Sequence, residues 1–154
     1  MASTTLAPRS WIGFPFDPQV GEGPTPKDTA PQRTPKGDFI LYHGTSIPAA
    51  QSILSSRTLR PDDLGYVGVG TTEDSVLTYA CMKHSFGGSA ILRLVLCASW
   101  LGTQEIIHET GGSGRDQFLI SPNPSCHSEE GQLFIHSVTV PPLAVKQARI
   151  VRRF

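Results

Sequence analysis

Cysteine is scarce and neither sign of charge prevails, and both shortages narrow what this chain can be. Its three cysteines, Cys81, Cys97 and Cys126, are odd in number and widely spaced, which argues against a disulfide framework and for a reducing compartment. A zinc site would have to join Cys81-x-x-His84 to Cys126-His127. Adjacent side chains point apart in extended chain and the spacing fits no common zinc module, so no metal is expected. The 13 basic and 13 acidic residues cancel, and nothing in that balance draws the chain to nucleic acid or to a membrane surface. Long apolar runs are missing as well. None reaches the roughly 20 residues that a helix needs to cross a bilayer, and Met1 to Trp11 lacks the apolar stretch of a classical signal peptide. A soluble, cytoplasmic monomer is expected.

What is present divides the chain in two. Seven of the 13 prolines fall within residues 1–36, where no helical or strand period survives, so this stretch reads as an extended arm. Within it, Trp11-Ile12-Gly13-Phe14-Pro15-Phe16 carries four large apolar side chains, each worth about 1.5–3 kcal/mol when buried, which predicts that the segment docks on its own domain or on a partner. Residues 37–154 read as the folded unit. Phe39-Ile40-Leu41-Tyr42 predicts a buried strand. A helix follows, capped by Ser46, with Pro48 in its first turn and Ala49, Ala50, Ile53 and Leu54 on one apolar face. Gly65, Gly68 and Gly70 punctuate a loop in which backbone can approach a ligand. Asp74 or Ser75 caps a second helix to about His84, with Val76, Leu77, Ala80 and Cys81 apolar. Residues 90–96, 104–108, 117–120, 133–140 and 147–151 are strand-like. Two short helices early and strands late predict an α+β domain with a split, antiparallel or mixed sheet.

The chemistry concentrates at Tyr42-His43-Gly44-Thr45-Ser46, where a strand leads into a helix start. A histidine can hydrogen-bond a ribose hydroxyl, and a bare glycine backbone can pair its N–H and C=O with a planar carboxamide. Residues 39–79 resemble the diphtheria-toxin-like and poly(ADP-ribose)-polymerase-like ADP-ribosyltransferases, whose His-Gly-Thr strand end precedes a helix and a glycine-rich segment. The resemblance implies an ADP-ribosyltransferase-like fold over residues 37–154 with NAD as the substrate nucleotide. His43 would meet the adenosine ribose and the Gly44 backbone the nicotinamide amide, with Thr45 and Ser46 in support. Gly68-Val69-Gly70-Thr71-Thr72 looks like the family's Gly-x-Gly-x-Tyr segment. Its tyrosine falls on Thr72, so the stacking role passes to Tyr79 or is shared with Tyr66.

The family's third element is a glutamate on a late strand. If 145–154 is the closing strand, the preceding one begins near Glu129, Glu130 and Gln132, and Glu130 is preferred. A second alignment sets Asp116-Gln117-Phe118-Leu119-Ile120 on the family's Glu-Tyr-Ile-Val, which puts Gln117 in the carboxylate's place and leaves Glu109 as a substitute. Arg57, Arg60, Lys83 and Arg93 are candidates for the pyrophosphate, with solvated charge the ordinary alternative. The implied activity is mono-ADP-ribosylation of a protein acceptor. Compact transferases of this kind include effectors that modify host proteins, among them a group acting on threonine in ubiquitin, and the resemblance thereby implies delivery into a host cell as the alternative to a cytoplasmic location. NAD glycohydrolysis and a non-catalytic binding module are the alternatives.

Overall fold

The computed structural model of the chain describes residues 2–6, 31–61, 67–110, 117–122 and 138–154. The Trp11–Phe16 cluster, Gly65, Tyr66, Cys126 and His127 lie outside them. The fold is α+β, and among the described residues every strand pairing is antiparallel. Strands β2 (Phe39–Ser46), β4 (Ser89–Leu96) and β7 (Val145–Arg153) form one sheet with β4 in the middle. Strands β1 (Ala2–Leu6), β5 (Gln104–Thr110), β6 (Gln117–Pro122) and β3 (Val67–Val69) form a second sheet in that order. Between the sheets runs one backbone bridge, in which Tyr42 and Gly70 exchange N–H···O=C bonds of 2.8 Å each.

β4 is buried at every position except the half-exposed Arg93. Its side chains alternate between two layers, as a strand's must. Leu92, Leu94 and Leu96 join Phe39 and Leu41 of β2 in the larger core, together with Ala50 and Ile53 of helix α1 (Ile47–Ser56). Ile91 faces the other way, into a smaller cluster with Val76 and Ala80 of helix α2 (Glu73–Met82). The three-stranded sheet therefore lies between the two helices.

α1 forms as its sequence predicts, with Ser46 Oγ accepting from Ala49 N–H at 3.3 Å and Pro48 in the first turn, where no N–H is needed. Leu54 is a correction: it is 36% exposed, at the edge of the helix's apolar face. Arg57 ends the helix in a left-handed conformation at φ 53°, a strained state for a residue with a Cβ. It is offset by its own N–H to Ile53 O and by Nη1 donating to Lys146 O at 3.1 Å. In α2 the cap is Thr72, not Asp74 or Ser75. Thr72 and Ser75 form a reciprocal capping box, and Cys81 is exposed. α2 stops at Met82, and a 3₁₀ turn at His84–Phe86 follows.

Two further features have no apolar signature. Ala2–Leu6 lies in the part read as an extended arm, yet it pairs with β5 from Ala2↔Thr110 to Leu6↔Ile106. Backbone pairing asks for no apolar alternation, and the Thr-Thr pair suits extended chain. The short helix α3 (Ala98–Leu101) begins where Asp38 Oδ1 accepts from Ala98 N–H at 3.2 Å, while Asp38 Oδ2 meets Lys146 Nζ at 3.1 Å. Burial alone would raise the Asp38 pKa, but the hydrogen bonds from Lys146 and Ala98 outweigh it and hold the carboxyl below its usual range.

Candidate functional site

β2 was expected to end near Tyr42, but its ladder with β4 continues to Ser46↔Ser89. The His-Gly-Thr motif is therefore held inside a strand, and period-two alternation sends its residues to opposite faces. His43 and Thr45 face α1 and line a cavity of about 280 Å³ with Ala49, Ser52, Ile53 and Arg60. Tyr42 faces the other way and, with Gln32, Thr71, Thr72, Glu73 and Asp74, lines a more open cavity of about 310 Å³.

The orientation of His43 is fixed by one bond. Its Nδ1 lies 2.7 Å from the carbonyl oxygen of Gly68. A carbonyl can only accept, so Nδ1 carries the proton. Burial lowers the His43 pKa below the ordinary 6.5; the Gly68 bond acts against this, and the charge of Lys83 adds to it. The ring is thus neutral at physiological pH, with Nε2 left as an acceptor suited to a hydroxyl donor.

Gly44 has two roles. A Cβ there would meet Val76 O at 2.7 Å and Ala80 N at 2.8 Å, so only glycine lets the α2 backbone close on β2. Its own backbone is also unspent. Because Tyr42 bonds to Gly70, antiparallel alternation directs the N–H and C=O of Gly44 to that same edge. There β3 has already turned away into α2, and no described backbone group meets them.

The other expected residues divide. Ser46 is engaged as the α1 cap. Gly70 uses both backbone groups on Tyr42, and a Cβ on it would collide with Ser75 Oγ. Thr72 is engaged in the α2 cap. Tyr79 lies on α2 next to Ala80, which packs on Gly44; its side chain is outside the described residues. Glu109 and Gln117 are direct cross-strand partners. Since Val69 pairs with Phe118, this pair lies at the end of the four-stranded sheet where Gly70 crosses to Tyr42. Glu129, Glu130 and Gln132 lie outside the described residues. Of the four basic candidates, Arg60 lines the His43 cavity and Lys83 acts on His43 through its charge. Arg57 is turned to the β7 backbone, and Arg93 donates to Gln147 Oε1 at 3.2 Å.

Sequence reasoning missed the Gly68 carbonyl as the group that sets the His43 tautomer, and Ser52 as part of the cavity wall. Ser52 and Ser56 do carry a signal: they recur at the four-residue helical spacing beside the apolar face of α1, a polar stripe that an all-core face would not have. Among the described residues, no group of three or more metal-ligating side chains occurs and no helix is long and apolar enough to cross a membrane. No protein-family model matches the chain, and comparison with curated proteins and with solved structures found no match.

Proposed function

We propose that the chain is a compact mono-ADP-ribosyltransferase that uses NAD and has an ADP-ribosyltransferase-like fold. The observation that carries the reading is the pairing of a neutral, oriented His43 with an unspent Gly44 backbone on one strand. His43 Nε2 can accept from a ribose hydroxyl, and the free N–H and C=O of Gly44 match the C=O and NH₂ of a carboxamide. Thr45 and Ser52 add hydroxyls to the same cavity as His43, and Arg60 adds a positive charge suited to a phosphate.

Transfer breaks the bond between nicotinamide and ribose, and positive charge develops on the anomeric carbon. A carboxylate placed beside it favours that state over the bound substrate. Glu130 is the first candidate for this role, with Glu129 and Glu109 behind it, and Gln132 or Gln117 would mark an amide-based or inactive site. The ADP-ribosyl group then passes to a nucleophile of a protein acceptor, or to water in a glycohydrolase.

Calorimetry with NAD and measurement of nicotinamide release, each with and without protein acceptors, test the reading. His43→Ala is expected to abolish turnover in a folded protein. Glu130→Ala is expected to keep NAD affinity within a few-fold and to lose about 100-fold in rate. Normal turnover by folded His43→Ala removes the nucleotide-site assignment. NAD binding without turnover under any condition leaves the non-catalytic module.

A further inference from the structure

We propose that Thr45 sets the specificity of the His43 cavity: its hydroxyl and Nε2 of His43 together read two adjacent hydroxyls of a ribose, and a ribose that lacks one of them or carries a phosphate there is refused. The inference deepens the nucleotide reading and rests on it. The described residues bury three polar side chains, Asp38, Ser89 and Thr45. Asp38 is held by Ala98 and Lys146, and Ser89 Oγ lies 3.4 Å from His84 Nδ1. Thr45, at 8% exposure, has no hydrogen-bond partner for its Oγ1 among the described residues. The fold leaves this hydroxyl unsatisfied.

Its position makes that omission costly. Phe39, Leu41, His43 and Thr45 follow one another on the α1 face of β2, since successive side chains of a strand alternate. The first two are fully buried in the larger core, and the next two end in polar atoms. A buried hydroxyl without a partner destabilises a fold by more than a made hydrogen bond stabilises it, and valine would fill the same shape with a similar preference for strands. Thr45 nevertheless stands there and lines the cavity, as His43 does. Nε2 of His43 is free as well, because Gly68 O engages only Nδ1. Two unsatisfied groups, two residues apart on one face of one strand, point to a single ligand that completes both.

The chemistry of the pair selects that ligand. Nε2 offers a lone pair and needs a donor, while Thr45 Oγ1 can donate or accept. Adjacent sugar hydroxyls meet both needs, one donating to Nε2 and the other bonding with Oγ1. A phosphate in place of either would set acceptor against acceptor at the Nε2 end. Among the described residues no carboxylate lines the cavity, and its arginine, Arg60, is exposed. A phosphate on the 5′ carbon of the same ribose can meet that guanidinium, whereas one on the 2′ oxygen replaces a hydroxyl the pair requires. NAD is therefore favoured over NADP, whose adenosine ribose is 2′-phosphorylated. A site built to hydrogen-bond a hydroxyl rejects an analogue without it, because its own buried groups are then left unpaired.

The test is calorimetric titration of the full chain with NAD, NADP and the NAD analogues lacking the 2′- or the 3′-hydroxyl of the adenosine ribose, beside thermal unfolding without ligand. The parent is expected to bind NAD at least about tenfold more tightly than the other three. Thr45→Val is expected to bind NAD about tenfold more weakly, and to bind one of the two deoxy analogues as the parent does, since the contact is already missing there. Thr45→Ser, which keeps a hydroxyl, should keep NAD affinity within a few-fold. Without ligand, Thr45→Val is expected to unfold at the parent's temperature or above it, which a hydroxyl bonded within the fold would not allow. A lower unfolding temperature for Thr45→Val overturns the proposal. So does NAD affinity that Thr45→Val leaves unchanged, or a parent that binds NAD and NADP equally; in each of these cases NAD still binds and the nucleotide reading stands. A parent that binds neither NAD nor its analogues removes that reading, and this inference with it.

Discussion

At His43 a single hydrogen bond decides what the residue can do. With Nδ1–H tied to Gly68 O and the ring's pKa lowered by burial, nitrogen shifts in an NMR titration should report an Nδ1–H tautomer that is mostly neutral at pH 6.5. The stability consequence has a definite sign. Below about 6.5 the unfolded chain takes up a proton that the folded ring refuses until a lower pH, so stability is full above that value and falls as pH drops toward the folded pKa. Urea unfolding from about pH 7.5 to 5.5 should show that loss in the parent protein and a flatter profile in His43→Gln. Titration of His43 at or above 6.5 would mean that the burial described for it is wrong. The histidine, glycine and hydroxyls were legible as a cluster in the sequence. Their separation onto two faces was not, because it depends on how far the β4 ladder extends β2. Nor was the reason for Gly44, since a close approach by Val76 and Ala80 is a contact across the chain.

Among the elements, α1 was readable because its signals are local: the Ser46 cap, the early proline, and Ala50 and Ile53 on one side. The start of α2 was misread because Thr72, Asp74 and Ser75 can all cap a helix, and the choice depends on which of them is held in extended backbone. That residue is Thr72, at φ −139° and ψ 163°, held there by the bridge that fixes Gly70 two residues earlier. Replacing Thr72 by alanine should cost about 0.5–2 kcal/mol in chemical denaturation, and replacing it by serine only a few tenths. A Thr72→Ala loss confined to NAD affinity, with stability intact, would point to ligand contact instead of capping. Five strands, β2, β4, β5, β6 and β7, were legible in the sequence, but β1 was not, and β3 (Val67–Val69) forms where a glycine-punctuated loop was expected; most of the expected strand 133–140 lies outside the described residues. β7 begins two residues before its apolar pattern, and β1 has no such pattern at all, because backbone partners define them.

For the whole molecule, the α+β class followed from helices early and strands late, whereas the division into two sheets did not, because each sheet joins strands from early and late in the chain. The sequence did not disclose that Asp38 and Lys146 would meet, nor that arginines from β4 and β7 would align. Both depend on strand order β2-β4-β7, which places residues far apart in the chain side by side. A net charge summed over the chain carries no such positions.

The bridge between Tyr42 and Gly70 has a mechanical consequence. Breaking its two hydrogen bonds and the His43–Gly68 contact would open a local seam while leaving both ladders whole and Val67, Val69 and Ile120 packed in the core they share with Phe39 and Leu92. The seam could thus breathe on its own, at a small fraction of the free energy of global unfolding. Hydrogen exchange would reveal it as an alternation within one strand. The amides of His43 and Thr45, bonded into β4, should exchange only when the sheet unfolds, whereas that of Tyr42, bonded across the bridge, should exchange at least tenfold faster, on the order of the difference between local and global opening. Equal protection of Tyr42, His43 and Thr45 would mean that the seam is welded shut.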